Sequence, residues 1–547
     1  MKFSLQTLIL ACMLLCFGKS ANAQFSYDSV QTFFVCNATG SQTSVSAFSD
    51  GNGGTYSYWI DKRNGLAGSA IYGQHLDSLG FPQWTANGKL LATATSKEIW
   101  NMKAVQWQSG TLIAWVQGGF GIGGDTIHCM YYDQAGIAQW STPTVVANKQ
   151  GQIIYVDGAN LDIYTTNTNA TITFSLVPSG GNTYFSFNKI DNTGNLSLPI
   201  NSISYTGGGY YYHSADDHHG GFFVAASTGG LGAHIYVGHF DAQGNSTISS
   251  PVDISTVAGG RGNDQWNIFC GSDTSAYVAW DNSSPGDVHL AKIKADGSLP
   301  YGSGGAKPVC TVPGYKALTY GTIANDTIYI IWADPRQGAS NYKVYMQKLT
   351  TDGDPLWTTD GVLLSDLSNY SPYPKLAITG NEVVATYVSG SKFRAQQIHP
   401  DSTIGWTPNG IAMNTNNLPS TLDYVIVPSN DGSTTIIWKE SGENICASRI
   451  RQNGTLTNIS SPTITQLELF PNPATDQFSI QVKNTGEEKS LIRIFNANGQ
   501  LVSEQTDSEK GEHQLMISTS KLSSGIYTVT VTGTNLNRAG RLSIVRN

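Results

Sequence analysis

The sequence predicts an all-β chain: a β-propeller of eight blades, with seven as the alternative count, followed by a small C-terminal immunoglobulin-like β-sandwich. Three observations predict it. Apolar residues in a helical 3.6-residue period are nearly absent, while Gly, Ser, Thr, Tyr and Asn abound between short alternating runs. A unit of about fifty residues recurs through the body, which is the period of a propeller blade. The last stretch alternates differently, with Phe478–Val482 and Tyr527–Val531 as strands and Asn498-Gly499 as a hairpin turn.

Taken in order, the chain opens with Lys2, an apolar run from Leu8 to Phe17, and Lys19-Ser20-Ala21-Asn22-Ala23. Small residues at Ala21 and Ala23 make residues 1–23 a signal peptide cut between Ala23 and Gln24; the run is too short to span a bilayer. Ile9-Leu10-Ala11-Cys12 offers a lipoprotein box as the alternative, although the apolar run continues past Cys12. No later segment is apolar enough for a transmembrane span.

The body, 24–457, repeats. Trp59-Ile60-Asp61-Lys62-Arg63-Asn64-Gly65 leads to Tyr72, Gly80, Trp84 and Gly88, and Trp332-Ala333-Asp334-Pro335-Arg336-Gln337-Gly338 leads to Tyr345, Gly353, Trp357 and Gly361 with the same spacings. The positions equivalent to Tyr72 are 72, 128, 186, 236, 289, 345, 394 and 446. Each unit reads as four strands: one before a Gly-rich turn, one ending in Trp, one ending near Asp, and one after a Gly turn. Such a unit buries little alone, so the units must stack, and closing the ring removes exposed edges. The eighth unit has a weak last strand, whereas Val35-Cys36-Asn37-Ala38-Thr39-Gly40 copies Val309-Cys310-Thr311-Val312-Pro313-Gly314, the last strand of unit five. The N-terminal strand is therefore expected to complete the last unit. That would set Cys36 beside Cys446, either as a disulfide or as two separate buried thiols. None of the five cysteines beyond the signal peptide shows C-x-x-C spacing.

The signal peptide holds two lysines, and residues 467–547 hold eight basic and eight acidic residues, so the body has 21 basic against 31 acidic side chains. An acidic surface without basic runs excludes nucleic acid and anionic membranes as natural partners.

Candidate chemistry is sparse. Trp59, Trp115, Trp280, Trp332 and Trp438 recur at one place, and Trp84, Trp140, Trp357 and Trp406 at another; recurrence argues for packing, with sugar-stacking as the alternative. Asp61 with Arg63, and Asp334 with Arg336, follow the second strand on the face where a propeller opens its central pocket, and could hold a ligand or lock a turn. Within His213–Gly221, Asp216, Asp217, His218 and His219 form the densest ligand-like cluster; it is a turn or a surface cation site, with calcium the cation considered. No cofactor is evident. There is no G-x-S-x-G, H-E-x-x-H or P-loop, and Gly118–Gly124 precedes a strand and not a helix. Paired carboxylates for glycoside chemistry depend on the fold and are not assignable from sequence.

The tail supplies an address. Leu467–Phe470 run into Pro471-Asn472-Pro473-Ala474-Thr475-Asp476, followed by Ile492-Arg493-Ile494-Phe495-Asn496-Ala497-Asn498-Gly499 and Leu522-Ser523-Ser524-Gly525-Ile526-Tyr527. This succession resembles the type A C-terminal sorting domain of type IX secretion cargo in Bacteroidota. The resemblance makes Pro471, Asn472, Pro473, Gly499, Gly525 and Tyr527 the sorting motif of residues 467–547. It implies export through the periplasm to the cell surface or medium. It also implies handling by the type IX machinery and removal by a sortase-like peptidase within the linker 458–466. The body resembles uncharacterised propellers among such cargo, which brings no catalytic residues. The expectation is a non-enzymatic binding module for a glycan or protein. The alternatives are a polysaccharide-active hydrolase or lyase with a central-pocket site, and a purely structural surface component.

Overall fold

A computed structural model describes residues 33–546 except 67, 79, 95–96, 119–125, 149–160, 177–183, 200–202, 206–210, 229, 256–259, 263–265, 283–285, 303, 337, 339–340, 370–372, 390–391, 414–418, 441–442, 458–464, 485–489, 497–500 and 534–535. The signal peptide, the Ala23/Gln24 bond, Gly499, most of the linker and most of the Gly-rich run after Gly118 lie outside the described residues. The described residues are strands and turns, and they divide into two compact units, one up to 459 and one from 460 onward. Among the described residues no helix is long and apolar enough to cross a membrane.

The larger unit is propeller-like. Among the described residues eight antiparallel sheets follow one another along the chain, seven of four strands and the last with one further short strand. Sheet one shows the pattern: Gln42–Ser49, Thr55–Asp61, Ala70–Leu76 and Lys89–Thr93, each paired with the next. The second strand is wholly buried, its polar Thr55, Ser57 and Asp61 included, because it lies mid-sheet with a neighbouring sheet on either face. The first strands of the other sheets are Ile99–Trp107, Asp162–Thr165, Tyr211–Asp216, Asn267–Cys270, Ala317–Ala324, Lys375–Thr379 and Pro419–Pro428. Each packs on the first strand of the following sheet, and Pro419–Pro428 packs back on Gln42–Ser49, so these strands surround an axis.

Side-chain hydrogen bonds tie sheet eight back to sheet one. The Asp423 carboxylate accepts the Ser44 and Val45 amides at 2.9 and 2.8 Å. Arg449 donates to the carbonyls of Gly53 and Ser78, the latter at 2.8 Å. The outer strand of sheet eight is Phe33–Cys36, from the other end of the body, paired antiparallel to Ile445–Ile450.

This closure decides between the two readings of Cys36 and Cys446 in favour of separate thiols. Cys36 and Cys446 stand on neighbouring strands as separate buried thiols. A bulge after Phe34 places Cys36 opposite Ile445, while Phe34 faces Cys446. Cys446 packs with Phe393 and Trp438 between sheets seven and eight, whereas Cys36 packs with Trp59 and Leu76 between sheets eight and one. Two side chains on opposite faces of one sheet cannot be bridged.

All eight positions equivalent to Tyr72 occupy one place in the register. They pair with Trp59, Trp115, Phe174, Ala226, Trp280, Trp332, Tyr387 and Trp438 on the second strands.

The smaller unit has a five-stranded sheet, in the order Thr465–Gln466, Leu536–Ile544, Gly525–Gly533, Ser490–Phe495, Leu501–Asp507, and a ribbon of Gln477–Asn484 with Gly511–Ser518. Phe478, Ile480 and Val482 of the ribbon share one core with Ile492, Ile494, Val529 and Val531 of the sheet.

Candidate functional site

The two Asp–Arg pairs are wired alike. The Arg63 guanidinium meets Asp61 at 2.6 Å and Arg336 meets Asp334 at 2.6 Å, with neither aspartate side chain exposed at all. Each aspartate also accepts the indole N–H two residues earlier, Trp59 at 3.1 Å and Trp332 at 2.9 Å, and the amide two residues later at 2.9 Å. Each arginine lies on a tyrosine ring, Tyr72 at 3.9 Å and Tyr345 at 3.8 Å, and donates to the carbonyl of Asn87 or Asp360. Each then touches a thiol of the preceding sheet, Cys36 at 3.5 Å and Cys310 at 3.3 Å. Burial pushes both thiols up to about 11, so they meet the arginines as neutral groups. Burial alone would raise the Asp61 carboxyl, but its bonds from Arg63 and Trp59 hold it below the usual carboxylate range. The carboxylates thus face inward, onto their own sheet and its neighbour.

The 213–221 cluster is a turn between first and second strands. Asp217 Oδ1 accepts the amides of His219 and Gly221 at 2.7 and 2.9 Å, and Oδ2 meets His239 Nε2 at 3.0 Å. Sheet one repeats this wiring: Asp50 Oδ1 accepts the amides of Asn52 and Gly54, and Oδ2 meets His75 Nε2 at 2.9 Å. Asp216 accepts the amide of His218, and His219 Nδ1 lies 2.9 Å from the Asp217 carbonyl. These four side chains do not converge on one point. Among the described residues the convergent group is instead Asp507, Glu509 and His513 of the smaller unit, with ligand atoms within 4.8 Å of one another.

Both indole series pack between sheets. In the second series Trp140, Trp357 and Trp406 donate to the Asn192, Pro400 and Gln452 carbonyls of the following sheet at 3.0–3.1 Å.

A further set escaped sequence reasoning. One place on the first strands, opposite the residue before the indole position, holds Ser46, Lys103, Asp162, His213, Asn267, Tyr320, Lys375 and Val425. Several reach the next sheet. Lys103 pairs with Asp162 at 2.8 Å, Asn267 binds both backbone groups of Gly321 at 2.8 Å, and Lys375 donates to the Tyr424 carbonyl at 2.8 Å. Lys103 keeps 43% of its side-chain surface on one of the strands that surround the axis. Tyr320 and Lys375, at the same place on their strands, are half-buried. The Asp162 charge, acting against burial, holds the Lys103 ammonium above its ordinary range. Burial brings Lys375 down to about 8, with Asp423 opposing and Lys103 adding to the fall. The signal was present in the sequence: these residues fall twelve or thirteen positions before the indole position of each unit.

In the smaller unit, Pro471 and Pro473 flank Asn472, whose side-chain amide donates to the Arg541 carbonyl at 2.7 Å and accepts the Ser543 amide at 2.9 Å. The asparagine side chain thereby does for the neighbouring strand what the two prolines' missing N–H groups cannot. Gly525 opens its strand, and the buried Tyr527 donates to the Ser523 carbonyl at 2.9 Å.

Known proteins add to this geometry. Residues 468–545 match the family described as "Secretion system C-terminal sorting domain". An ulvan lyase of Nonlabens ulvanivorans is 25% identical over 162 residues, 26% of this chain; the match spans 29% of the lyase's length. Among solved structures, a puromycin hydrolase mutant is 11% identical with a TM-score of 0.40, covering 75% of this chain and 61% of that one. An alpha-L-arabinofuranosidase from Fusarium graminearum is 10% identical with a TM-score of 0.33, covering 58% and 96%. A subtype N11 neuraminidase-like protein of a bat influenza virus (H18N11) is 12% identical with a TM-score of 0.33, covering 62% and 93%. The strand order described above, not these scores, carries the fold. Residues 468–545 belong to the sorting-domain family, and the chain is cargo of the type IX secretion system, destined for the outer surface or the medium.

Proposed function

We propose that the body is an eight-bladed propeller that acts outside the cell as a non-enzymatic binding module for a glycan or protein. In this reading the smaller unit is an immunoglobulin-like sandwich that a sortase-like peptidase removes within 458–466. The observation that supports binding most is that the carboxylates around the axis are committed to the frame. Asp162 is paired with Lys103, and Asp423 with two amides. Asp61 and Asp334 serve the contacts between sheets. Side chains so held form a preorganised socket, with the lone pairs of these four carboxylates already engaged.

Co-sedimentation of the purified protein with insoluble polysaccharides, with the supernatant assayed for new reducing ends, tests this reading. Retention without product supports it, and product overturns it. The second reading is a secreted polysaccharide-active hydrolase or lyase with its site in the channel. It draws on Lys375, which exchanges its proton near pH 8, and on the partial likeness to an ulvan lyase.

A further inference from the structure

We propose that the axial channel takes an anionic group of the ligand, a carboxylate or a sulfate, between the ammonium groups of Lys103 and Lys375. This rests on the binding-module reading and names the chemistry of its site. Both lysines occupy the same register place on the strands that surround the axis, in sheets two and seven. Their partners differ. Lys103 has a carboxylate, Asp162, at 2.8 Å. Lys375 has the Tyr424 carbonyl at 2.8 Å and the face of the Tyr424 ring at 4.2 Å. Neither of these partners carries a charge. Asp423 faces Lys375 from the same strand, but its two oxygens are taken by the Ser44 and Val45 amides.

The remaining titratable neighbours of these lysines are Tyr320 and each other. Two cations thus stand at one register place on the strands around the axis, and the Lys103 charge adds to burial in lowering the Lys375 ammonium. An anion between them removes the repulsion and gives Lys375 the charged partner that the fold withholds. Binding then requires the protonated lysine, so affinity must fall as pH rises through about 8. An acidic body with lysines directed inward also keeps such anions off the outer surface.

The test is calorimetric titration of the purified protein with trigalacturonate and with sodium sulfate, using maltotriose as the neutral control, at pH 6.5 and 9.5. Expected at pH 6.5 is binding of one anionic probe, and the two arms tell a carboxylated sugar from a sulfate. Lys375→Ala should weaken it about tenfold, the size of one lost charge-assisted bond. Lys375→Arg, charged at both pH values, should keep at pH 9.5 the affinity that the unaltered protein loses. Unaltered binding by Lys375→Ala, with thermal melting showing it folded, would overturn the assignment. So would equal loss at pH 9.5 in the arginine variant. Binding of maltotriose alone would overturn the anion site and leave the binding module standing, whereas failure of all three probes overturns the anion site and directs the module's search to protein ligands.

Discussion

Sheets one and six and sheets three and four solve the same packing problem with different chemistry. In sheets one and six the indole position holds Trp59 and Trp332, and each indole is tied through an unexposed aspartate to an arginine that reaches the preceding sheet. In sheets three and four the same place holds Phe174 and Ala226, with no aspartate two residues on. The gap between them is filled by rings: Phe187, Phe222 and Phe240 lie with centroids 4.9–5.2 Å apart and share a core with Phe185 and Tyr212. A blade interface needs volume filled and polar groups satisfied. A hidden ion pair or a ring cluster meets that need equally well, and the ring cluster erases the motif by which the repeat is recognised.

Two truncations should have the largest effects. Asp334→Ala leaves the Arg336 guanidinium, the Trp332 indole and an amide without their acceptor, and should cost about 3–5 kcal/mol. Phe222→Ala, fully buried among rings, should cost about 3–5 kcal/mol through the cavity it opens. Denaturant unfolding measures both. If Asp334→Ala is silent, the polar interface is not equivalent to the aromatic one. A smaller effect separates two glycines of sheet one. A Cβ at Gly88 would meet the Trp59 ring at 2.6 Å, whereas one at Gly65 meets nothing within 4 Å, both at positive φ. Gly88→Ala should cost about 1–3 kcal/mol more than Gly65→Ala by the same measurement.

The smallest expected effect is on pH dependence. Burial would raise the carboxyls of Asp50, Asp61 and Asp217, but hydrogen bonds outweigh it and hold all three below their ordinary value. Groups depressed in the folded state add stability that is complete above their unfolded pKa, about 4, and is lost as pH falls through the folded value. Melting temperatures should therefore drop below pH 4, and Asp61→Asn should flatten that drop.

Much of the fold was legible because packing repeats. The eight positions from 72 to 446 were found by spacing alone, and each one pairs with the indole position of its own sheet. Strand adjacency alone could not choose between a disulfide and two thiols, because one bulge in the register turned Cys36 to the other face from Cys446. The axial residues were overlooked for a related reason. Lys103, Asp162, Tyr320 and Lys375 recur in position but not in type, so a search for identical residues passes over them.

By itself the sequence determined the strand count per unit, the place of the N-terminal strand, the distinct tail and its export address. These depend on local alternation, turn residues and a period, all of which are written along the chain. Only the tertiary structure decided that Asp61 and Asp334 look inward, that Asp217–Gly221 is a turn, and that two lysines from distant units take one place on the strands around the axis. Those outcomes depend on which faces closure brings together, and closing a ring sets side by side residues that no sequence spacing relates.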